Sequence, residues 1–207
     1  MIRAQSADAA LAVVEALAEA GLMVAEITMT VPRAIEAIAS VTKRFGGKVL
    51  VGAGTVTDAE TARRALDAGA GFIVTPCLVP DVIDAAHRAD IAVLPGALTP
   101  TEVFEAYRKG GDMVKIFPAQ SVGGAAYLRA LRGPFPDIPL VPTGGVTLDT
   151  VGEMFDAGAA AVGVGSEMIS KAALARSDYA TIGALASQFL AAVRKSRAMI
   201  ASSARTR

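Results

Sequence analysis

The segment Met113-Val114-Lys115-Ile116-Phe117-Pro118-Ala119-Gln120 determines how the rest of this chain is interpreted. Val114 and Ile116 are β-branched, and β-branched residues favour strands, so the segment predicts a short buried strand. Proline has no N–H to donate to a sheet, so Pro118 marks the carboxyl end of that strand. We therefore expect Lys115 near the end of a buried strand, among apolar neighbours.

A lysine at such a position has two interpretations. Burial disfavours the ammonium form and can lower the pKa of a lysine by roughly 3–5 units, and the neutral amine attacks carbonyl groups to form Schiff bases. Alternatively, only the aliphatic stem of Lys115 is buried, and its ammonium group reaches water or pairs with a carboxylate.

The composition excludes several classes of protein. The 207 residues suit a single domain with a sizeable core. The 20 basic and 20 acidic residues cancel, which argues against a nucleic-acid partner or a polybasic membrane-binding surface. Cys77 and His87 are each the sole residue of their type, which excludes an internal disulfide and a His-rich metal site.

The same composition bears on location and cofactors. The first residues lack the long apolar stretch of a signal peptide, and no apolar run approaches the roughly 20 residues that span a membrane. A single cysteine fits a reducing compartment. We expect a cytoplasmic protein without a cofactor and without a membrane partner.

Short apolar strands and amphipathic helices alternate along the chain with a period of roughly 20–25 residues. The eight predicted strands cover residues 2–4, 23–29, 48–52, 72–75, 91–94, 113–117, 139–141 and 161–164. Eight consecutive strand–helix units predict a parallel (β/α)8 TIM barrel of minimal size, with a shortened first strand. An open doubly wound sheet is the alternative, but no Gly-x-Gly-x-x-Gly follows the first strand.

Helix start signals support this division of the chain. They stand at Ser6, Pro32, Asp58, Pro80 and Thr99. Residues 1–193 are predicted to form one barrel domain, and the polar, basic residues 194–207 are predicted to be a frayed tail.

Catalytic groups of a barrel lie at the carboxyl ends of its strands. Of the lysines, only Lys115 falls within a predicted strand near that end. Glu26 is the one carboxylate predicted inside a barrel strand, where it is costly unless it has a partner or a catalytic role. A structural ion pair with Arg3 or Lys115 is the alternative.

Glycines cluster after the last two predicted strands, in Thr143-Gly144-Gly145 and in Gly165-Ser166. Backbone N–H groups of glycine can approach an anion closely, and a short helix after the eighth strand could direct its N-terminus at a phosphate. Alternatively, these glycines only permit tight turns.

Several motifs together resemble the class I 2-keto-3-deoxy-6-phosphogluconate (KDPG) / 4-hydroxy-2-oxoglutarate (KHG) aldolase family. The matching segments are 26–28, 52–56, 74–76, 115–118, 133–136, 142–146 and 163–166, in the order and spacing of the family. The resemblance implies a Schiff-base aldolase that cleaves KDPG to pyruvate and glyceraldehyde 3-phosphate, or KHG to pyruvate and glyoxylate. It also implies a homotrimer and no metal.

The resemblance assigns a role to individual residues. Lys115 would form the Schiff base and Glu26 would be the general acid/base. Thr55, Pro76 and Thr143 would line the pyruvate site, with Phe117 as its wall. The residues that would hold the substrate phosphate are Gly144, Gly145 and Ser166.

The chain departs from the family pattern in two places. Many relatives carry an arginine four residues after the catalytic glutamate, where this chain has Thr30. We therefore expect Arg3, at the end of the first strand, to bind the substrate carboxylate, the alternative being a surface arginine in a disordered segment. The family also has a full first strand, of which only Met1 to Ala4 correspond here.

Other functions remain open at this level. A 2-keto-3-deoxy-6-phosphogalactonate aldolase would carry the same motifs. A phosphate-binding isomerase or synthase barrel would not need a lysine opposite a glutamate, and a non-catalytic barrel could bind a keto acid without turnover.

Overall fold

A computed structural model describes residues 1–204 of the chain. The strands within this range are β1 (Val24–Thr28), β2 (Leu50–Gly54), β3 (Phe72–Val74), β4 (Ala92–Leu94), β5 (Gly96–Ala97), β6 (Val114–Ile116) and β7 (Leu140–Pro142). The α-helices are α1 (Ala7–Glu19), α2 (Ala34–Phe45), α3 (Ala59–Asp67), α4 (Pro80–Arg88), α5 (Pro100–Arg108), α6 (Gly124–Arg132), α7 (Val151–Asp156), α8 (Lys171–Ala175) and α9 (Tyr179–Ala204).

All strand pairs are parallel, in the orders β1-β2-β3-β4 and β5-β6-β7. Only Pro95 separates β4 from β5, and its carbonyl accepts a hydrogen bond of 2.9 Å from Lys115 N. The two sheets are therefore one continuous parallel sheet with a break at a proline.

The predicted first and eighth strands, residues 2–4 and 161–164, are present only as single parallel bridges, which continue the sheet at its two edges. Ile2 bridges Ile27, and Thr143 bridges Gly163, both in parallel. The amino group of Met1 donates a 2.8 Å hydrogen bond to the carbonyl of Val164 and so joins the two ends. The predicted (β/α)8 barrel with a shortened first strand is confirmed.

β2 lies two residues further along the chain than the predicted strand 48–52. Because glycine is a poor strand residue, the local sequence pattern placed the end of the predicted strand too early. In the structure Gly52 lies against the ring of Phe72 and Gly54 against Glu26, and no side chain fits at either position. Close packing inside the barrel therefore overrides strand preference here.

Helix start signals are correct at most positions. Ser6 and Asp58 accept hydrogen bonds from Ala9 N and Thr61 N, as N-caps do. Thr99 and Glu102 form a reciprocal capping box.

Pro32 does not begin the second helix. A turn in which Val31 N donates to Thr28 O comes first, and α2 begins at Ala34 after Arg33, whose φ is 59°. The predicted start is therefore wrong by two residues.

The predicted frayed tail is wrong for residues 194–204, which continue α9 as a helix. Ser196 is buried, and the Arg197 guanidinium donates a 3.1 Å hydrogen bond to Ala160 O and lies over the Phe155 ring. These contacts with the barrel wall and α7 order a segment whose composition alone is that of a tail. Residues 205–207 of the predicted tail lie outside the described part of the chain.

The core has two layers. Inward-facing side chains fill the barrel, while outward-facing ones such as Ile27, Ile73 and Ile116 pack under the helices and are fully buried. Within residues 1–204, no helix is both long and apolar enough to cross a membrane.

Candidate active site

Strand β6 presents Lys115 to the interior of the barrel. Its neighbours Val114 and Ile116 are fully buried and face the helices, so the alternation of a strand turns Lys115 inward. The Lys115 side chain is only 3% exposed, and its Nζ lies 5.0 Å from the centroid of the Phe117 ring. The ammonium head is thus not in bulk water, which disfavours the interpretation that it reaches the solvent.

The surroundings of Lys115 favour its neutral form. Burial lowers the pKa of the Lys115 amine below its ordinary value, the negative charge of Glu26 opposes this, and the positive charge of Arg3 adds to it. Desolvation is the largest of these effects because the ammonium loses its water without gaining a close carboxylate. The neutral amine is the form of lysine that attacks a carbonyl, and a lowered pKa increases the fraction of Lys115 in that form.

Glu26 lies on β1, also facing the barrel interior. Its Oε1 is buried without a hydrogen-bond partner. None of the ion pairs within 4.0 Å among the described residues involves Glu26, Lys115 or Arg3. The alternative of a structural ion pair at Glu26 is therefore wrong, and the carboxylate is available to a ligand.

One cavity of about 440 Å³ connects the two groups, since Glu26, Lys115 and Thr143 all line it. A cavity of this volume lies within the range typical of small-molecule sites. A buried amine and an unpartnered carboxylate in one cavity can exchange protons with a bound carbonyl compound.

The predicted pyruvate-site residues stand at the ends of three strands. Thr55 follows β2 with a φ of 58°, a conformation uncommon for threonine and often seen at functional sites. Pro76 follows β3 and packs its backbone against Gly96. Thr143 is 2% exposed and packs closely against Gly163, where a larger residue would not fit.

The predicted phosphate residues have an open arrangement. Gly144 and Gly145 have φ values of 91° and 76°, a region that favours glycine, and Gly145 is exposed. Phe117 lies against Gly144. Ser166 is exposed, in the turn that follows the eighth strand.

No helix follows Ser166 directly. Met168 N and Ile169 N donate to Gly165 O in a turn, and α8 begins only at Lys171, capped by Ser170. The short helix predicted after the eighth strand is thus α8, and a turn separates its N-terminus from Ser166.

Arg3 follows Ile2, which is fully buried and paired with the outward-facing Ile27. Alternation therefore directs Arg3 toward the barrel axis at the carboxyl end of the strands. It is exposed, makes no hydrogen bond or ion pair within residues 1–204, and is near enough to lower the pKa of Lys115. Arg3 is thus a free cation at the mouth of the site.

Two features of the site were missed from the sequence. Gly54, at the end of β2, leaves the space that the Glu26 carboxylate occupies. In the sequence, only the glycine itself at the end of a strand pointed to such a close approach. The buried Thr28 hydroxyl donates to Ile2 O and therefore accepts from the Thr30 hydroxyl, at 2.6 Å. This pair ties the first strand to β1 beside Arg3.

No group of three or more His, Cys, Asp or Glu within residues 1–204 is arranged to hold a metal ion.

Comparison with known proteins identifies the family. The family model described as KDPG and KHG aldolase matches residues 1–185. The chain is 36% identical to 2-dehydro-3-deoxy-phosphogluconate aldolase of Pseudomonas aeruginosa, over 85% of this chain and 80% of that protein. It is 37% identical to 2-dehydro-3-deoxy-6-phosphogalactonate aldolase of Escherichia coli, over 81% of this chain and 82% of that protein.

A solved structure agrees with these relatives. KDPG aldolase from Legionella pneumophila, with pyruvate captured as a covalent carbinolamine intermediate, superposes with a TM-score of 0.83 at 30% identity. The match covers 90% of each chain. With the family model matching most of the chain, this protein belongs to the KDPG and KHG aldolase family.

Proposed function

We propose that this chain is a Schiff-base aldolase that cleaves a 2-keto-3-deoxy sugar acid phosphate into pyruvate and an aldehyde. One observation carries the proposal: a lysine with a lowered pKa and a glutamate without a partner line the same cavity. An aldolase of this kind needs both groups, one as nucleophile and one to move protons.

The reaction begins when neutral Lys115 Nζ attacks the C2 ketone of the substrate and forms a carbinolamine. Glu26, which carries the proton that neutral Lys115 has given up, protonates the departing hydroxyl, so that water leaves and an iminium ion remains. Loss of the C4 hydroxyl proton to Glu26 through a water molecule breaks the C3–C4 bond. The electron pair of that bond moves to the iminium nitrogen, and the aldehyde leaves.

The enamine that remains on Lys115 is then protonated at C3 by Glu26. Water adds to the resulting iminium and releases pyruvate, which restores the free amine. The low exposure of Lys115 keeps bulk water away from the enamine.

Further residues near the ends of the strands would bind the substrate around this centre. Thr55, Pro76 and Thr143 would line the pyruvate part, and the Phe117 ring beside Lys115 would form its wall. Arg3 would bind the carboxylate through two hydrogen bonds, since its guanidinium is charged and free. Phosphate would lie at the open turns that carry Gly144, Gly145 and Ser166.

The substrate is proposed as KDPG, with KHG as a second substrate. The relative that acts on the phosphogalactonate compound is as similar to this chain as the phosphogluconate relative. The C4 epimer, 2-keto-3-deoxy-6-phosphogalactonate, is therefore the alternative substrate, and kcat/KM for the two epimers decides between them.

We further propose a cytoplasmic homotrimer without nucleic-acid or membrane partners. Support for self-association comes from an aromatic surface on α5, where Phe104 and Tyr107 are 47% and 41% exposed. Phe104 stacks on Phe135 with ring centroids 5.9 Å apart, which extends this aromatic surface. Exposed aromatic clusters of this kind mark protein interfaces.

Borohydride trapping tests the proposed function. Reduction of the iminium formed with pyruvate should leave a stable 1-carboxyethyl group on Lys115 Nζ, found in the peptide that contains this residue. Lys115→Ala should give no adduct, whereas Lys48→Ala, a change at an exposed lysine, should leave trapping unchanged. Adduct formation without cleavage of any sugar acid would instead identify a keto-acid-binding protein, and the absence of an adduct would refute the Schiff base.

A further inference from the structure

The segment that follows β6 supports the glycine turn, residues 143–145, at which the substrate phosphate is proposed to lie. Ala119 N donates to Thr143 O at 2.9 Å, and Gln120 N donates to Gly144 O at 3.1 Å. This segment continues directly from the strand that carries Lys115. One short stretch of chain thus connects the proposed nucleophile with the proposed phosphate turn.

The glycine turn has donors for an anion but little stiffness of its own. Within residues 1–204, neither Gly144 N–H nor Gly145 N–H donates a hydrogen bond to the protein. Two neighbouring amide donors of this kind can bind an anion. Because glycine has more backbone freedom than any other residue, contacts from outside the turn have to hold these donors in place.

Gln120 occupies the space beside two glycines from different loops. A Cβ at Gly145 would lie 2.5 Å from Gln120 Cβ and 3.0 Å from its Cγ. A Cβ at Gly124, where α6 begins, would lie 2.7 Å from Gln120 Oε1. The φ values of the two glycines are 76° and 55°. The side chain of Gln120 therefore packs between the glycine turn and the start of α6, in space that residues with a side chain would fill.

Packing, and not hydrogen bonding, is what the Gln120 side chain contributes here. The residue is exposed, and its amide group makes no hydrogen bond within residues 1–204. Its aliphatic stem, in contrast, lies directly against Gly145. The stem is thus the part of the side chain that can restrict the movement of the turn.

We infer that Gln120 is a positioning residue for the glycine turn, and that it sets how strongly the enzyme prefers phosphorylated over unphosphorylated substrates. The inference rests on the proposed function, which assigns the phosphate to this turn. When the turn is held in place, a substrate with both a ketone and a phosphate is bound at both ends. KHG has no phosphate, so its cleavage does not depend on the turn.

Steady-state kinetics of Gln120→Ala test this role, since the change removes the stem beyond Cβ. KM for the phosphorylated substrate should rise roughly tenfold with kcat unchanged, the pattern of lost binding without lost chemistry. kcat/KM for KHG and borohydride trapping with pyruvate should stay at the parental level. Gln120→Met keeps an unbranched stem of similar length without the amide, and it should restore most of the lost KM.

Ser121→Ala is the matched control, because Ser121 is exposed in the same short 3-10 helix, Gln120–Val122, and should change neither constant. A parental KM in Gln120→Ala, or an equal loss on KHG, would overturn the inference. So would a Gln120→Met protein no better than Gln120→Ala, since the amide and not the stem would then be the group that acts.

Amide hydrogen exchange provides a readout that requires no cleavage. Ala119 N–H is bonded to the glycine turn through Thr143 O, so its protection should fall roughly fivefold in Gln120→Ala and recover in Gln120→Met. Unchanged protection of this amide in Gln120→Ala would also overturn the inference. A parent protein that cleaves no sugar acid would refute the proposed function and the substrate preference with it, whereas the exchange result separately decides whether Gln120 holds the turn.

Discussion

Burial of Lys115 opposes stability while it prepares the amine for reaction. Its 3% exposure and lowered pKa mean that folding removes an ammonium group from water without supplying an ion-pair partner. The folded state therefore binds this proton more weakly than the unfolded state does. The same desolvation therefore lowers the stability of the folded protein and makes the Lys115 amine more nucleophilic.

Replacement of Lys115 by methionine, which has a similar shape without a charge, should raise Tm at neutral pH while abolishing cleavage. A lysine with a lowered folded pKa destabilises the protein below the unfolded pKa of about 10.4, and this cost disappears above it. The advantage of Lys115→Met should therefore shrink as pH rises toward that value. Thermal unfolding of both proteins between neutral pH and pH ~10.4 measures this difference in Tm.

The exposed Lys48 provides the control, since Lys48→Met should change Tm little at any pH. A Lys115→Met protein that is less stable than the parent at neutral pH would contradict the account of a buried, unpaired amine.

Gly54 controls the position of the Glu26 carboxylate. A Cβ at residue 54 would overlap Glu26 Oε1 and would lie 2.7 Å from its Cγ, so Gly54→Ala must move the side chain. Activity should fall on the order of 10²-fold, as when a general acid/base is misplaced. The measurement is exchange of the pyruvate methyl protons with solvent, followed by NMR, together with kcat.

Gly133→Ala is the matched control, because its Cβ would meet only Ala130 O at an ordinary 3.4 Å. Proton exchange at the parental rate in Gly54→Ala would show that the position of Glu26 is not required.

Arg3 is the available cation for the substrate carboxylate, and Arg3→Ala should raise KM. The fall in kcat/KM should correspond to a free energy of roughly 1.5–3 kcal/mol, the range for a hydrogen bond to a charged group. Arg3→Lys should recover only part of it, because an ammonium cannot form the planar two-bond contact.

Arg108, which pairs with Glu105 on α5, serves as the reference arginine, and its replacement by alanine should leave KM unchanged. An unchanged KM in Arg3→Ala would contradict this role and would leave Thr55 and backbone N–H groups to bind the substrate carboxylate.

Among the elements, α9 shows how tertiary contacts extend a helix. Arg197 joins it to the barrel through Ala160 O and to α7 through the Phe155 ring. Arg197→Ala should destabilise the protein by about 0.5–1.5 kcal/mol, the combined scale of an exposed cation–π contact and a hydrogen bond. Thermal unfolding should show a Tm lower by roughly 2–4 °C per kcal/mol.

Arg194 lies on the same helix and is exposed, so Arg194→Ala is the matched comparison. Equal Tm for the two variants would mean that the end of α9 contributes nothing to the barrel.

For the whole molecule, the proposed trimer predicts that Phe104→Asp lowers the mass in solution. A carboxylate on the exposed aromatic surface of α5 would be costly to bury between subunits. Light scattering coupled to gel filtration should show a shift from trimer to monomer. Met23→Asp alters another exposed apolar residue and should leave the mass unchanged.

A trimeric Phe104→Asp protein would place the interface elsewhere, and a monomeric parent protein would refute the homotrimer itself.

Much of the fold follows from local patterns. Helix caps act within three residues of the backbone groups that they cap, as at Ser6, Asp58 and the Thr99–Glu102 pair. The starts of these helices could therefore be predicted from the sequence without knowledge of the fold. The buried strand around Lys115 and the inward position of Glu26 are likewise consequences of alternation. The family was identified from motifs in their order, and the family model and the relatives confirm it.

The remaining features depend on contacts between distant parts of the chain. Closure of the barrel joins Met1 to Val164, and the space for Glu26 comes from Gly54 on the neighbouring strand. Order in residues 194–204 comes from the contacts of Arg197 with Ala160 and Phe155. Capping and alternation act over a few residues, whereas packing and sheet closure act between residues that only the fold brings together.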